Sequence, residues 1–404
     1  MTFKTTSVVI DDYASVIHES FNKITTNIVA TETKITASDG AADDQFGQSV
    51  AVGSGRIVVG AWSDDDAGSN SGSAYIFDLD GNQIAKITAS DGAIGDRFGY
   101  SVAVGSGRIV VGAWSDDDNG STSGSAYIFD LDGNQIAKIT ASDGAANDQF
   151  GYSVAVGSGR IVVGAYGDDD AGSVSGSAYI FDLDGNQIAK ITASDGATSD
   201  QFGWSVAIGS GRIVVGAWGN NDAGDDSGSA YIFDLDGTQI AKITASDGAA
   251  GDEFGYSVAV GSGRIVVGAR SDDDAGSASG SAYIFDLDGN QIAKITAGDG
   301  AAFDRFGWSV AVGSGRIVVG ARFDDDAGSD SGSAYIFDLD GNQIAKITAS
   351  DGAADDFFGY SVAVGSGRIV VGAYGDDDAG GQSGSAYIYK IDETFDVYIE
   401  GIIN

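Results

Sequence analysis

One dipeptide recurs at a fixed interval through most of this 404-residue chain. Phe-Gly begins at Phe46 and again at Phe98, 52 residues later, and every later copy follows at the same step. The seven pairs begin at Phe46, Phe98, Phe150, Phe202, Phe254, Phe306 and Phe358. A sustained period of this length is typical of architectures that copy one supersecondary unit. The chain is therefore a single repeat array rather than a set of unrelated domains.

Each repeat predicts four short strands, here named A to D. In the first repeat the runs at 46–53, 56–62, 73–79 and 83–90 are rich in β-forming residues. Ser54-Gly55 separates A from B, and Asp80-Gly81 separates C from D, as tight hairpin turns do. Seven such antiparallel units predict an all-β fold, a seven-bladed β-propeller, with an open solenoid as the structural rival.

The two ends of the repeat array favour the closed ring. The sequence at 34–38, Lys-Ile-Thr-Ala-Ser, matches the strand D sequence at 86–90, and no strand D follows Ile388. An N-terminal strand completing the last blade removes free sheet edges. We therefore predict a propeller over 34–392, an N-terminal docking or anchor element over 1–33, and a strand-like tail over 393–404.

The N-terminal element is predicted to contain a short amphipathic helix. Asp11 or Asp12 caps it, and apolar residues follow at helical spacing. These are Tyr13, Val16, Ile17, Phe21, Ile24 and Ile28. The helix either packs on the propeller or, through residues 1–28, attaches it to a larger assembly such as a virion. The start of the chain lacks the apolar core of a secretory signal, and no apolar run is long enough to insert into a membrane.

The repeat words resemble the FG-GAP repeat family. They are Phe-Gly-Tyr-Ser-Val-Ala at 98–103, Val-Val-Gly-Ala at 110–113 and Ser-Gly-Ser-Ala-Tyr-Ile-Phe at 123–129, and the resemblance covers residues 34–391. It implies a ligand-binding scaffold like the propeller of integrin α-subunits and of bacterial surface proteins. Integrin-like repeats carry a calcium loop between strands A and B. Here that connection is only Gly53-Ser54-Gly55, so the calcium ligands of the family are not transferred.

The B–C and D–A loops are long, acidic and different from blade to blade, and both emerge on one face of an up-and-down blade. Recognition usually lies on such loops. The variable aromatic and arginine positions beside them predict a ligand-binding rim for a protein or glycan receptor. Its residues are Trp62, Trp114, Tyr152, Trp204, Trp218, Arg270, Trp308 and Arg322. The alternative is that these side chains only pack between adjacent blades.

The acidic loops also suggest a hard cation site. Asp44, Asp64 and Asp66, with their repeat equivalents, offer the oxygen ligands that calcium prefers, whereas the alternative is that they cap turns and solubilise the face. Asp78 is explained by its hairpin turn. Arg56, once per blade, is predicted to pair across the sheet with Asp78.

Charge and composition narrow the functional classes. A net charge of −38 disfavours nucleic acid and anionic membranes, and the absence of cysteine excludes disulfides and thiolate metal sites. The single histidine, His18, precedes the repeats, and no blade carries a distinctive acidic residue, so the sequence predicts no enzyme.

We predict an adhesion or receptor-binding propeller on a cell or virus surface. The alternatives are a structural subunit of a larger assembly and, more remotely, a carbohydrate-active enzyme.

Overall fold

The computed structural model describes residues 28–393, and all regular secondary structure within that range is β. Ala30–Ile391 form one compact unit. The first strand, β1, is Ile28–Ile35, and seven four-stranded sheets are formed in total.

The strands of each blade have nearly identical bounds from repeat to repeat. Blades one and two contain β2 (Ser49–Gly53), β3 (Arg56–Ala61), β4 (Ser73–Phe77), β5 (Gln83–Ile87), β6 (Ser101–Gly105), β7 (Arg108–Ala113), β8 (Ser125–Phe129) and β9 (Gln135–Ile139). Blades three and four contain β10 (Ser153–Gly157), β11 (Arg160–Ala165), β12 (Ser177–Phe181), β13 (Gln187–Ile191), β14 (Ser205–Gly209), β15 (Arg212–Ala217), β16 (Ser229–Phe233) and β17 (Gln239–Ile243). Blades five to seven contain β18 (Phe254–Gly261), β19 (Arg264–Ala269), β20 (Ser281–Phe285), β21 (Gln291–Ile295), β22 (Ser309–Gly313), β23 (Arg316–Ala321), β24 (Ser333–Phe337), β25 (Gln343–Ile347), β26 (Ser361–Gly365), β27 (Arg368–Ala373) and β28 (Ser385–Glu393).

Short turns set the register within each blade. Gly53 pairs with Arg56 across the Ser54-Gly55 turn, and both turn residues have positive φ, 49° and 75°. Strands A to D then lie in chain order in the first six sheets, all antiparallel. The seventh sheet has the order β1-β28-β27-β26, so β1 takes the outermost position beside β28.

Backbone hydrogen bonds join each blade to the next. The amide of Phe98 in blade two donates to the carbonyl of Ser71 in blade one at 3.0 Å. The same bond links the ends of the array, because the Phe46 amide donates to the Ser383 carbonyl of blade seven at 3.0 Å. Blade seven therefore adjoins blade one, and the seven sheets form a closed propeller rather than an open solenoid.

The hydrophobic core lies between neighbouring blades. Phe46, Tyr75 and Phe77 of blade one pack with Val370 and Ile388 of blade seven, all at most 3% exposed. The ring of Phe46 meets that of Tyr75 edge-on at 5.4 Å between centroids. Because each core is shared by two blades, no blade can bury its apolar faces alone.

The predicted pairing of Arg56 with Asp78 is wrong, and the predicted turn role of Asp78 is confirmed. Arg56 does not pair with Asp78: its Nε donates to the Leu131 carbonyl of the next blade at 3.0 Å, and Asp132 lies 3.5 Å from its guanidinium. Asp78 is instead engaged by its own turn, where it accepts from the amides of Asp80 and Asn82 at 2.9 Å each.

The predicted helix and docking element fall largely on residues 1–27, and the predicted tail on 394–404, outside the described residues. Ile28, assigned above to the helix, is the first residue of β1. Within 28–393 there is no helix with the length and apolar character needed to cross a membrane.

Candidate functional site

The B–C and D–A loops form one continuous surface. The D–A loop of blade two lies along the B–C loop of blade one, with the amides of Gly95 and Arg97 donating to the carbonyls of Ser69 and Asn70 at 2.9 and 3.1 Å. The A–B and C–D turns occupy the opposite face because the strands are antiparallel. We call the first surface the loop face.

Seven side chains meet around the propeller axis at the loop face, one from each residue that follows Phe-Gly. This axial ring consists of Gln48, Tyr100, Tyr152, Trp204, Tyr256, Trp308 and Tyr360. Successive aromatic members contact one another, with centroid distances from 4.6 Å for Tyr152–Trp204 to 5.6 Å for Trp308–Tyr360. The Gln48 side-chain amide donates to the Tyr360 hydroxyl at 2.9 Å.

A small cavity is lined by this ring. Its volume is about 270 Å³, and its walls are axial-ring side chains of every blade but the fourth, together with the serine that follows each of them and, except in blade five, the next valine. Burial raises the pKa of Tyr100 and Tyr152 well above that of free tyrosine, so both phenols stay neutral and their hydroxyls bond to each other at 3.0 Å.

A second ring surrounds the first and comes from the residue after each Gly-Ala. This mouth ring consists of Trp62, Trp114, Tyr166, Trp218, Arg270, Arg322 and Tyr374, all partly exposed. Its aromatic members pack edge-on against the axial ring, as Trp218 does on Trp204 at 5.6 Å and 78° between planes. The eight residues predicted to bind ligand therefore lie in one contiguous cluster, linked through Tyr100 and Tyr256.

A third set at the same mouth was missed by sequence reasoning. The residue before each Phe-Gly varies among the repeats, and its side chain contacts the mouth ring in several blades. These residues are Gln45, Arg97, Gln149, Gln201, Glu253, Arg305 and Phe357. Trp62 Nε1 donates to Gln45 Oε1 at 3.0 Å, and Phe357 stacks on Tyr374 at 5.1 Å. The sequence does carry a signal for this set, because the residue before each invariant Phe varies among the repeats.

The backbone explains why this third set reaches the mouth. All seven residues adopt left-handed φ values between 56° and 61°. That conformation costs a non-glycine residue about 1–2 kcal/mol. It is stabilised by the loop-to-loop hydrogen bond of each amide, such as Arg97 to Asn70.

The acidic residues of each blade gather around a lysine. Lys86 Nζ lies 2.8 Å from Asp39 and 3.0 Å from Asp64 and also contacts Asp66, while the Tyr75 hydroxyl donates to Asp39 and Asp64. Burial alone would lower the pKa of Lys86, but its hydrogen bonds to the three carboxylates raise it overall. We call each such group a lysine cluster; it recurs in all seven blades, with Lys34 of β1 serving blade seven.

The predicted calcium ligands belong to this arrangement. Asp64 and Asp66 are members of the lysine cluster, and Asp44 accepts the Ala41 amide at 2.7 Å. Burial raises the pKa of Asp44, and the charge of Asp64 raises it further. Asp64 and Asp66 thus suit a cation, and the cation they contact is the ammonium group of the chain's own Lys86. Calcium binding stays a prediction.

The lysine cluster of blade four differs from those of the other blades. Asn220 replaces the buried aspartate, and its Nδ2 lies 3.2 Å from Asp200, so an amide–carboxylate hydrogen bond takes the place of two adjacent carboxylates. Asn220 Oδ1 also accepts from Ser229 at 3.0 Å. This blade retains Asp195 and Asp222 as ion-pair partners of Lys242.

Comparison with known families agrees with this geometry. The FG-GAP repeat matches seven segments that together cover most of the chain. They are residues 29–77, 82–129, 134–181, 186–233, 238–285, 290–337 and 342–389. The chain belongs to the FG-GAP repeat family. Each FG-GAP segment starts at a strand D and ends on the strand C of the next blade, so the family unit spans two sheets.

Membership sets the functional class at a coarse level. The FG-GAP propeller fold suggests a protein-binding, adhesion-type domain, and the family is generally non-enzymatic. No curated protein matches this FG-GAP chain.

Proposed function

We propose that this FG-GAP propeller is a non-enzymatic recognition module that captures a protein or glycan receptor at the mouth of its loop face. Display on a cell or virus surface is part of the proposal, since adhesion requires it. Two rings of partly exposed aromatic and arginine side chains on a rigid scaffold support it, because such side chains dominate binding energy at interfaces.

The observation that carries the proposal is where the repeats differ. Almost all differences among the seven units fall at 42–48 and 62–70 and at the equivalent positions, which form the loop face. Elsewhere the first six units differ only at Ile208, Thr238 and Gly298. In a purely structural ring, sequence differences among the repeats are not expected to be confined to one face. In a binding protein they are expected to concentrate on the surface that contacts the ligand.

Trp218 offers a test because it belongs to the mouth ring and packs on a single ring partner, Trp204. We expect Trp218→Ala to reduce binding of the labelled protein to a glycan array and to intact cells about tenfold or more, as for an interface hot spot. Ile240→Ala is the matched control, since Ile240 is 42% exposed on an outer strand away from the loop face. Equal loss in both variants, or undiminished binding by Trp218→Ala, would contradict the proposal.

The competing role, attachment to a larger assembly, depends on residues outside the described range. Removal of residues 1–27 separates the two roles, because receptor binding should survive it while assembly should not. Persistent assembly together with lost receptor binding would reverse the assignment.

We also propose that β1 is the strand that locks the ring in solution. Ile35 is 5% exposed in the core shared by blades one and seven, and Lys34 pairs with Asp351 and Asp376 at 2.8 Å each. Removal of residues 1–35 should therefore lower the melting temperature strongly compared with removal of 1–27. Equal melting temperatures would show that β1 is dispensable for closure.

A further inference from the structure

Most cations of the described residues belong to repeated ion pairs. The lysine clusters take one lysine per blade, and the arginine at the Arg56 position, present once per blade, bonds to the neighbouring blade in blades one to five and seven. Four arginines fall outside both series, and all four lie at the mouth: Arg97, Arg270, Arg305 and Arg322.

These arginines are not spread evenly around the mouth. Three of the four come from blades five and six, and the same sector holds every phenylalanine within 28–393 that is outside the repeated core positions. We call this group the arginine sector: Arg270, Phe303, Arg305, Arg322, Phe323 and Phe357. Within this sector, the Phe303 side chain is 61% exposed on the loop face. The mouth is therefore chemically polarised.

Arg322 lies at the centre of the sector between aromatic rings. Its guanidinium carbon is 3.6 Å from the ring centroid of Trp308 and 4.0 Å from that of Phe323, with Tyr360 at 5.3 Å. Arg270 is placed similarly, 3.6 Å from the centroid of Tyr256, but it also forms an ion pair with Glu253.

The two arginines thus differ in charge compensation. No carboxylate of the described residues comes within 4.0 Å of the Arg322 guanidinium, and its buried Nε has no hydrogen-bond partner there. The charge of Arg322 acts to lower the pKa of Asp330, but the two side chains do not form an ion pair. Burial lowers the pKa of Arg322, as expected for a cation whose desolvation is not offset. A bound anion would offset it.

We propose, on the basis of the recognition role above, that Arg322 receives the carboxylate of an acidic sugar whose ring stacks on the aromatic side chains of the arginine sector. The planar guanidinium matches a carboxylate through two parallel hydrogen bonds. The exposed ring of Phe303 in the same sector offers flat apolar surface of the kind that packs against the C–H face of a pyranose. The net charge of −38 repels long polyanions, which favours a short or terminal acidic saccharide.

The experiment uses the full chain and a matched pair of probes, trigalacturonate and its methyl ester, at constant ionic strength. Titration calorimetry should show that the acid binds the wild type about tenfold or more tightly than the ester, since only the acid can pair with Arg322. Arg322→Gln should remove that preference, and Arg322→Lys should restore part of it.

The control is Arg264→Gln, which removes an arginine of blade five on the opposite face, where it bonds to the Leu339 carbonyl and pairs with Asp340, and should keep the preference. Equal binding of acid and ester by the wild type would overturn the proposal, as would an unchanged preference in a folded Arg322→Gln protein. Equal affinity for free glutamate would overturn the sugar assignment. None of these results would affect the Trp218 test of the recognition role.

Discussion

At the scale of single residues, glycine sets how closely the blades approach. Gly112 has no positive φ, yet a Cβ there would lie 1.9 Å from the carbonyl oxygen of Gly151 in the next blade. Gly107, in the A–B turn, is the opposite case: its φ is +75°, and a Cβ would meet nothing within 4 Å. One glycine is required by packing and the other by backbone conformation.

Substituting these two glycines separates the two requirements. Gly112→Ala should lower the free energy of unfolding by about 3 kcal/mol or more, because the backbones of two blades must move apart. Gly107→Ala should cost only about 1 kcal/mol, the strain of a left-handed alanine. Urea denaturation of both variants measures the difference, and similar losses would show that interblade contact is looser than described.

At the scale of the blade, the lysine cluster connects strand D to both acidic loops. Lys138 contacts Asp91 of the D–A loop at 2.8 Å and the buried Asp116 of the B–C loop at 3.0 Å. In blade four the equivalent of Asp116 is Asn220, so Lys242 neutralises one buried charge fewer. The blades therefore provide an internal comparison.

Lys138→Met should destabilise the protein by about 3 kcal/mol, because Asp116 is left buried without its counter-ion. Lys242→Met should cost about half as much. The raised pKa of Lys138 means that its contribution is complete below the unfolded value of 10.5 and is lost as pH rises beyond it. Melting temperatures of wild type and Lys138→Met should therefore keep a constant separation from pH 7 to about 10 and converge only above pH 10.5; convergence already below pH 10 would contradict the ion-pair account.

At the scale of the whole molecule, the surplus of negative charge couples stability to pH. Burial raises the pKa of Asp96, Asp304 and Asp356 from 3.8 to about 6. The negative charge of a neighbouring aspartate adds to this increase. A carboxyl group that binds its proton more tightly when folded stabilises the fold once protonated. The Asp39 position behaves oppositely, since its pKa is lowered, burial being outweighed by its bonds to Lys86 and Tyr75.

Stability should therefore rise as pH falls from 7 towards 4.5 and decline below pH 4. The triple variant Asp96→Asn/Asp304→Asn/Asp356→Asn keeps the oxygen that accepts the Ala93, Ala301 and Ala353 amides. It should be more stable than the wild type at pH 7, by about 1–2 kcal/mol per site, and show a smaller rise between pH 7 and 4.5, since Asp44 and its three other equivalents keep their raised pKa. Melting temperatures measured by calorimetry between pH 7 and 4.5 test this prediction. If the melting temperature of the variant rose as much as that of the wild type, these three carboxyl groups would not be the cause of the rise.

The candidate site was predictable only in part. Variation after Phe-Gly and Gly-Ala pointed to the axial and mouth rings, since aromatic residues that change at a fixed repeat position stand out against invariant neighbours. Gln45 and its equivalents were missed because their left-handed backbone, which turns them towards the mouth, depends on a hydrogen bond to another blade. The polarity of the arginine sector likewise emerged only when residues from blades five to seven were brought together.

The sequence by itself determined what is local: four strands per repeat, the turns between them, and through the period of 52 the number of blades. Those signals lie within a few residues of one another, so turn chemistry and alternation are sufficient to express them. Only the tertiary structure decided which charges meet, because Lys86 and Asp39 are 47 positions apart and Arg56 and Asp132 are 76 apart. Such pairings depend on the tilt and spacing of whole sheets around the axis, which packing between blades imposes.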